Sequence, residues 1–339
     1  MKKTLILSAL ILTIGHTYAQ DNKLKDVVNT LKERITLSAY SQLGYTYDSA
    51  ADPNNTFDIK RIIFMAEGKI TDKWLVYFMY DFYNGGMLCE IYTEYKLLPW
   101  LNARIGEFKT PYTIDNQLSP TTVELINCYS QSVCYLAGVS GSDELCGVTT
   151  GRDIGFMVYG DFCKQLFSYK LAVMNGQGIN LKDKNKQKDI IGSLMINPTK
   201  WLSFGGSFVK GTGYASVNKE DMDVQAGENY TKNRWSAGMI ITTKPFNFRS
   251  EYLAGKNKHT KSDGFYATAS LNVLPKFDII ASYDYFNQNK KTDNTQTNYV
   301  AGIQYWFYPK CRLQAQYTYS DRKFRKNSNI IQAQVQVRF

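Results

Sequence analysis

The last nine residues constrain the chain more than any other stretch. Ile331, Ala333, Val335, Val337 and Phe339 alternate with Gln332, Gln334, Gln336 and Arg338. Successive side chains of an extended strand point to opposite faces, so this segment has one wholly apolar face and one wholly polar face. A strand set between lipid and water needs that division. The same period recurs upstream. Arg312, Gln314, Gln316 and Thr318 oppose Leu313, Ala315, Tyr317 and Tyr319, and Tyr266, Thr268, Ser270 and Asn272 oppose Phe265, Ala267, Ala269 and Leu271.

Two kinds of connection join these segments in turn. One is short and often carries proline, as in Ile70-Thr71-Asp72-Lys73, Leu98-Pro99-Trp100, Lys244-Pro245 and Tyr308-Pro309-Lys310. The other is longer and polar, over 48–55, 84–87, 110–151, 175–188, 211–229, 255–262, 287–295 and 321–329. Short turns at one rim and long loops at the other mark an outer-membrane barrel. The fold class is therefore all-β: a transmembrane antiparallel β-barrel of about sixteen strands over residues 35–339, with both barrel ends on the periplasmic side. A soluble sandwich would also alternate, but it would not make every second connection short or place the aromatic side chains on the apolar face. Trp74, Trp100 and Trp201 follow short turns and Trp306 precedes one, which predicts an interfacial aromatic belt at that rim. A barrel of this size encloses water, because side chains cannot fill its interior.

The start of the chain is read separately. Lys2 and Lys3 precede the apolar run Leu5 to Ile14 and then Thr17-Tyr18-Ala19, which predicts a secretory signal over 1–19. Its core is about half the roughly twenty residues that a spanning helix needs. No later segment approaches that length, and mean hydropathy is −0.35. Residues 20–34 carry Leu24, Val27, Val28 and Leu31 at helical spacing and read as a short amphipathic periplasmic leader, or as a frayed extension. A composition with 25 Tyr, 18 Phe and 5 Trp against 8 Pro favours strands. Loss of Lys2 and Lys3 with the signal takes the formal charge from +10 to +8. Export makes nucleic acid the least fitting partner for that charge. It leaves anionic solutes or an anionic membrane surface, with outer-membrane lipid and lipopolysaccharide as the contacts.

One segment breaks the rhythm. From Thr110 to Gly151 no alternation is sustained, and so long a connection is either functional or disordered. Five motifs then occur in order: Leu37-Ser38-Ala39-Tyr40-Ser41-Gln42-Leu43, Lys60-Arg61 with Glu67-Gly68-Lys69, Gly106-Glu107-Phe108-Lys109-Thr110-Pro111-Tyr112, Gly151-Arg152-Asp153-Ile154-Gly155 and Asn175-Gly176-Gln177-Gly178. With the terminal Phe339, they make the chain resemble the phosphate-selective porin O and P family of outer-membrane porins, in its Bacteroidetes-type form. The resemblance spans most of the mature chain. It implies an integral outer-membrane channel for passive diffusion of small hydrophilic solutes and ions, phosphate or other anions among them. It further implies a homotrimer, a third outer loop (110–151) folded inward as the constriction, and handling by the barrel-assembly machinery through Phe339. It implies no cofactor.

Alternation assigns Arg61, Lys69, Arg104, Lys170, Arg249, Arg312 and Arg338 to the lumen, as a passage for anions requires. Glu67, Glu94, Asp153, Glu251, Asp278 and Asp284 fall on the same face, so the wall is a mixed field. The third loop holds Asp115, Glu124, Asp143 and Glu144 and neither Lys nor Arg. That predicts an acidic constriction and a diffusion channel with weak or no phosphate preference. Further cations crowd the outer loops at Lys182, Lys184, Lys186 and Lys188, at Lys256, Lys258 and Lys261, and at Arg322, Lys323, Arg325 and Lys326. They read as a vestibule for anions or as a rim against lipid phosphates.

Cys128, Cys134 and Cys146 share the third loop, and export favours one disulfide among them without fixing its pairing. Their spacing does not suit a zinc site. Rival readings are an outer-membrane barrel enzyme, an energised transporter and a structural barrel occluded by its loop. A hydrolase of the Ser-His-Asp kind needs a histidine base, yet His16 lies in the signal and His259 stands among lysines. Energised transporters use 22 strands and a plug, which this length before Ile35 does not supply. Steady conductance separates the occluded barrel from a channel.

Overall fold

The computed structural model describes residues 32–139, 145 and 149–339. The expected signal, the leader apart from 32–34, and Asp143, Glu144 and Cys146 lie outside the described residues. Sixteen strands make up most of the described residues. The first eight are β1 (Ile35–Asp48), β2 (Asn55–Lys69), β3 (Trp74–Asp81), β4 (Met87–Leu98), β5 (Leu101–Lys109), β6 (Arg152–Phe162), β7 (Phe167–Met174) and β8 (Asp189–Thr199). The others are β9 (Leu202–Tyr214), β10 (Asn229–Thr242), β11 (Phe246–Asn257), β12 (Thr260–Leu274), β13 (Phe277–Asn289), β14 (Asn294–Tyr308), β15 (Cys311–Arg322) and β16 (Ser328–Arg338). Each strand pairs with its chain neighbours, and β1 pairs antiparallel with β16. Closure leaves no unpaired strand edge, which lipid could not hydrate.

Register decides which side chains face the lumen, because residues directly opposite one another share a face. Gln336, Gln42 and Arg61 lie level across β16, β1 and β2. Glu94 stands opposite Arg104, and Tyr159 opposite Lys170. The expected alternation of β16 is seen directly: Gln334 and Gln336 are 3% and 0% exposed, whereas Ile331 and Val337 are 51% and 45% exposed. Trp74, Trp100 and Trp201 stand exposed beside the short turns. Trp306 departs from the expected belt. Its indole Nε1 donates to Asp278 at 3.0 Å and Arg312 lies 5.1 Å over its ring, at a register shift between Tyr305 and Tyr308.

The outer connections are shorter than expected in two places. Residues 258–259 alone join β11 to β12, and 290–293 join β13 to β14. Beyond the bilayer a strand no longer needs an apolar face, so paired polar ends such as Lys256 with Lys261 look like loop in the sequence.

The segment 110–151 joins β5 to β6 and folds back into the barrel. Its roots are tied where the Thr110 amide donates to the Gly151 carbonyl at 3.0 Å. It forms two short helices, α1 (Ile114–Gln117) and α2 (Gln131–Leu136). The hydroxyls of Thr113 and Ser130 cap them, accepting from the amides of Asn116 and Val133. Tyr112, Val133 and Leu136 bury themselves against Ile191, Val209, Leu253 and Tyr266 of the wall. Gly255 and Gly264 make room for α2: a Cβ on either would come within 2.5 Å of Leu136 or Ser132.

Candidate functional site

The lumen has a covered side and an open side. On the covered side, wall residues from β11 round to β16 take up the polar groups of the loop. Arg249 Nε pairs with Asp115 at 2.5 Å, and its Nη1 with Glu124 at 2.9 Å. Arg312 Nη2 donates to the Val123 carbonyl at 2.8 Å, Gln314 Nε2 to the Glu124 carbonyl at 2.8 Å and Arg338 Nη1 to Thr121 Oγ1 at 2.6 Å. Glu251 accepts from the amide of Ile114 at 3.0 Å, and Asp284 from that of Gln131 at 3.0 Å. These are first-turn amides that a helix itself leaves unpaired.

Of the four acids expected at the constriction, Asp115 and Glu124 are described, and both are paired with Arg249. Both described loop acids turn away from the passage and share one guanidinium, supplied from 134 residues along the chain in the case of Asp115. Asp115 is 2% exposed. Its charge is compensated where it lies, because a buried carboxylate persists only when paired.

The open side runs along β1 to β7. A cavity of about 320 Å³ lies between this wall and the loop at Gln117, Ser119 and Pro120. A second, of about 250 Å³, lies at the periplasmic mouth beside Lys69 and Trp74, and Arg104 lines both. Arg104 pairs with Glu94 at 2.6 Å and lies 4.0 Å over the Tyr92 ring. Lys170 Nζ donates to Gln117 Oε1 at 2.6 Å, and Lys109 Nζ to the Leu118 carbonyl at 2.6 Å. Among the described residues neither ammonium has a carboxylate within ion-pair distance.

The seven cations expected at the lumen fall in different places. Arg249, Arg312 and Arg338 hold the loop on the covered side. Arg61 donates to Gln42 Oε1 at 2.7 Å and lies 3.7 Å from Cys128 Sγ. Lys170 touches the loop from the open side, while Lys69 and Arg104 stand clear of it. Alternation did not single out Lys109 or Arg152. They flank the loop roots, where the period breaks down, and Arg152 reaches Glu90 at 3.0 Å. Two of the motifs behind the family resemblance contain them, and that was the available signal.

Cys128 and Cys134 are not joined to each other in this structure. Cys128 is buried against Pro120 and Arg61 instead, and Cys146 lies outside the described residues. At the outer rim, several of the expected cations are paired. Lys258 donates to Glu228 at 2.8 Å, which holds that carboxyl below its usual range, and Lys323 pairs with Asp293 at 2.6 Å.

A closed barrel of sixteen strands with a loop folded inward is the architecture of a diffusion channel. The sequence model of the Gram-negative porin family matches residues 101–325, and the chain belongs to that family. It is an integral outer-membrane protein that forms a channel for small solutes. Solved structures with the same fold include OmpT of Vibrio cholerae in a trimer form, with TM-score 0.67, 12% identity and coverage of 90% of this chain and 99% of that one. The anion-selective porin from Comamonas acidovorans gives 0.67, 11%, 90% and 99% in the same order. Salmonella typhi OmpF in complex with daunomycin gives 0.66, 10%, 90% and 97%. At these identities the likeness is one of fold. No curated protein matches the chain in sequence.

Proposed function

We propose that this porin prefers anions, without specificity for phosphate, and works as a homotrimer. The observation that carries the reading is the asymmetry of charge in the lumen. Arg249 neutralises Asp115 and Glu124 on the covered side, whereas Lys109 and Lys170 face the open cavity without carboxylate partners. Fixed positive charge between low-dielectric walls concentrates anions and excludes cations. Phosphate specificity would call for charged donors on every side of the ion; here Met65, Met79 and Met157 interrupt them. The resemblance to the phosphate-selective porin O and P family thus fits the sign of the charge better than the named substrate.

The trimer form of a protein with this fold favours a homotrimer here. The same reading includes export by a signal at 1–19, a leader at 20–34, an outward face against lipid and lipopolysaccharide, and an exposed Phe339 for the assembly machinery. A channel is preferred to a barrel enzyme because Ser262 and Asp263, the serine and carboxylate nearest His259 in the sequence, are engaged elsewhere: the Ser262 hydroxyl donates to the Gln288 carbonyl at 2.6 Å and Asp263 pairs with Lys290 at 2.6 Å. Single-channel recording in different salts tests the proposal. Replacing chloride by slower acetate should lower conductance far more than replacing potassium by lithium. The reverse order would refute an anion preference, and absence of steady current would establish an occluded barrel.

A further inference from the structure

We infer that the cavity beside the third loop is a binding station for organic monoanions with an apolar body, of which aryl carboxylates are the simplest; the inference rests on the anion-preferring reading above. Two kinds of surface meet there, beside Glu90, whose carboxylate is neutralised by Arg152 at 3.0 Å. Lys109 and Lys170 supply ammonium groups that donate, among the described residues, to a loop carbonyl and a side-chain amide oxygen. Met65, Met79 and Met157 supply thioether surface from three different strands. Thioethers are polarisable, shape-adaptable and favourable against aromatic rings.

A third observation points independently to a ligand. Tyr40 lines the same cavity and is 3% exposed, and its buried hydroxyl has no hydrogen-bond partner among the described residues. A buried donor left unpaired is costly until an acceptor arrives. A carboxylate accepts from an ammonium and a hydroxyl together, and its apolar body then covers the methionines. Acetate meets the charge but leaves the thioether surface wet. Phosphate carries more charge and needs donors all round, so placing it against the methionines costs desolvation that nothing returns. A cavity of about 320 Å³ admits a single-ring carboxylate.

Block of chloride current through the reconstituted full-length protein tests this, with phenylacetate, acetate and phosphate added in turn. Phenylacetate should half-block at about a tenth of the acetate concentration, the gain expected from burying roughly 60 Å² of apolar surface. Phosphate should block no better than acetate. Met65→Gln with Met157→Gln should abolish the difference between phenylacetate and acetate, while Tyr40→Phe should weaken both severalfold. Equal block by phenylacetate and acetate in the wild type, or strongest block by phosphate, overturns the inference, and neither result depends on a variant folding. A cation preference in plain KCl would instead overturn the underlying anion reading, so the two failures are distinguishable.

Discussion

Along β11 to β16 the lumen face is packed like a protein interior, with Arg312, Ser320 and Gln336 fully buried. Along β2 to β7 the same inward alternation leaves Glu67, Tyr77, Tyr159 and Lys170 partly open. The two sides differ little in residue type, since each mixes carboxylates, amides, hydroxyls and cations. They differ in whether loop backbone lies over them. On the covered side Arg249 is neutralised by the loop's acids, whereas on the open side Lys109 and Lys170 meet the loop only at neutral oxygens and keep an uncompensated charge beside the cavity. Pore charge therefore cannot be counted from the lining residues alone, because the loop decides which of them line the pore.

The largest effect on this contrast should come from Arg249→Gln. It leaves Asp115 and Glu124 buried without a cation, and breaking such a pair costs about 3–5 kcal/mol. The loop should leave the wall, raising single-channel conductance and shifting selectivity towards cations. Unchanged conductance would mean that apolar packing of α2 alone holds the loop.

That packing is probed next by Gly264→Leu, which crowds Ser132 of α2. Overpacking of about 1–3 kcal/mol should push α2 off the covered wall into the passage, and conductance should fall. On the open side, Lys109→Gln with Lys170→Gln removes the two unpaired charges. The anion-to-cation permeability ratio should drop severalfold, while thermal stability of the barrel changes by no more than about 1 kcal/mol. The smallest effect belongs to Lys323→Gln at the outer rim. An exposed pair such as Lys323 with Asp293 contributes about 0–1 kcal/mol, and its field is screened within about 10 Å at 0.1 M salt. Selectivity should not move.

The sequence made the barrel legible because period two survives over most of the strands. The break at Thr110 and Gly151 coincides with the ends of β5 and β6 at Lys109 and Arg152. The faces of Arg61, Lys69, Arg104, Lys170, Arg249, Arg312 and Arg338 could be read for the same reason. What the chain did not disclose is which loop group each wall residue meets. Contact between Asp115 and Arg249 depends on the height at which α1 docks, a property of tertiary packing with no local pattern. The inward turn of Trp306 and the shortness of the 258–259 turn escaped on similar grounds. One follows from a register shift, the other from strand pairing that continues beyond the lipid.

The central claim is that Asp115 and Glu124 of the loop are held against the covered wall and the open wall's cations set the selectivity. The most direct measurement is the zero-current potential of the wild-type channel across a KCl gradient at low ionic strength. The account predicts the sign of a chloride-preferring pore. A potassium-preferring sign would contradict it, because it would mean that the acidic character of the loop, and not the basic wall opposite, governs the passage.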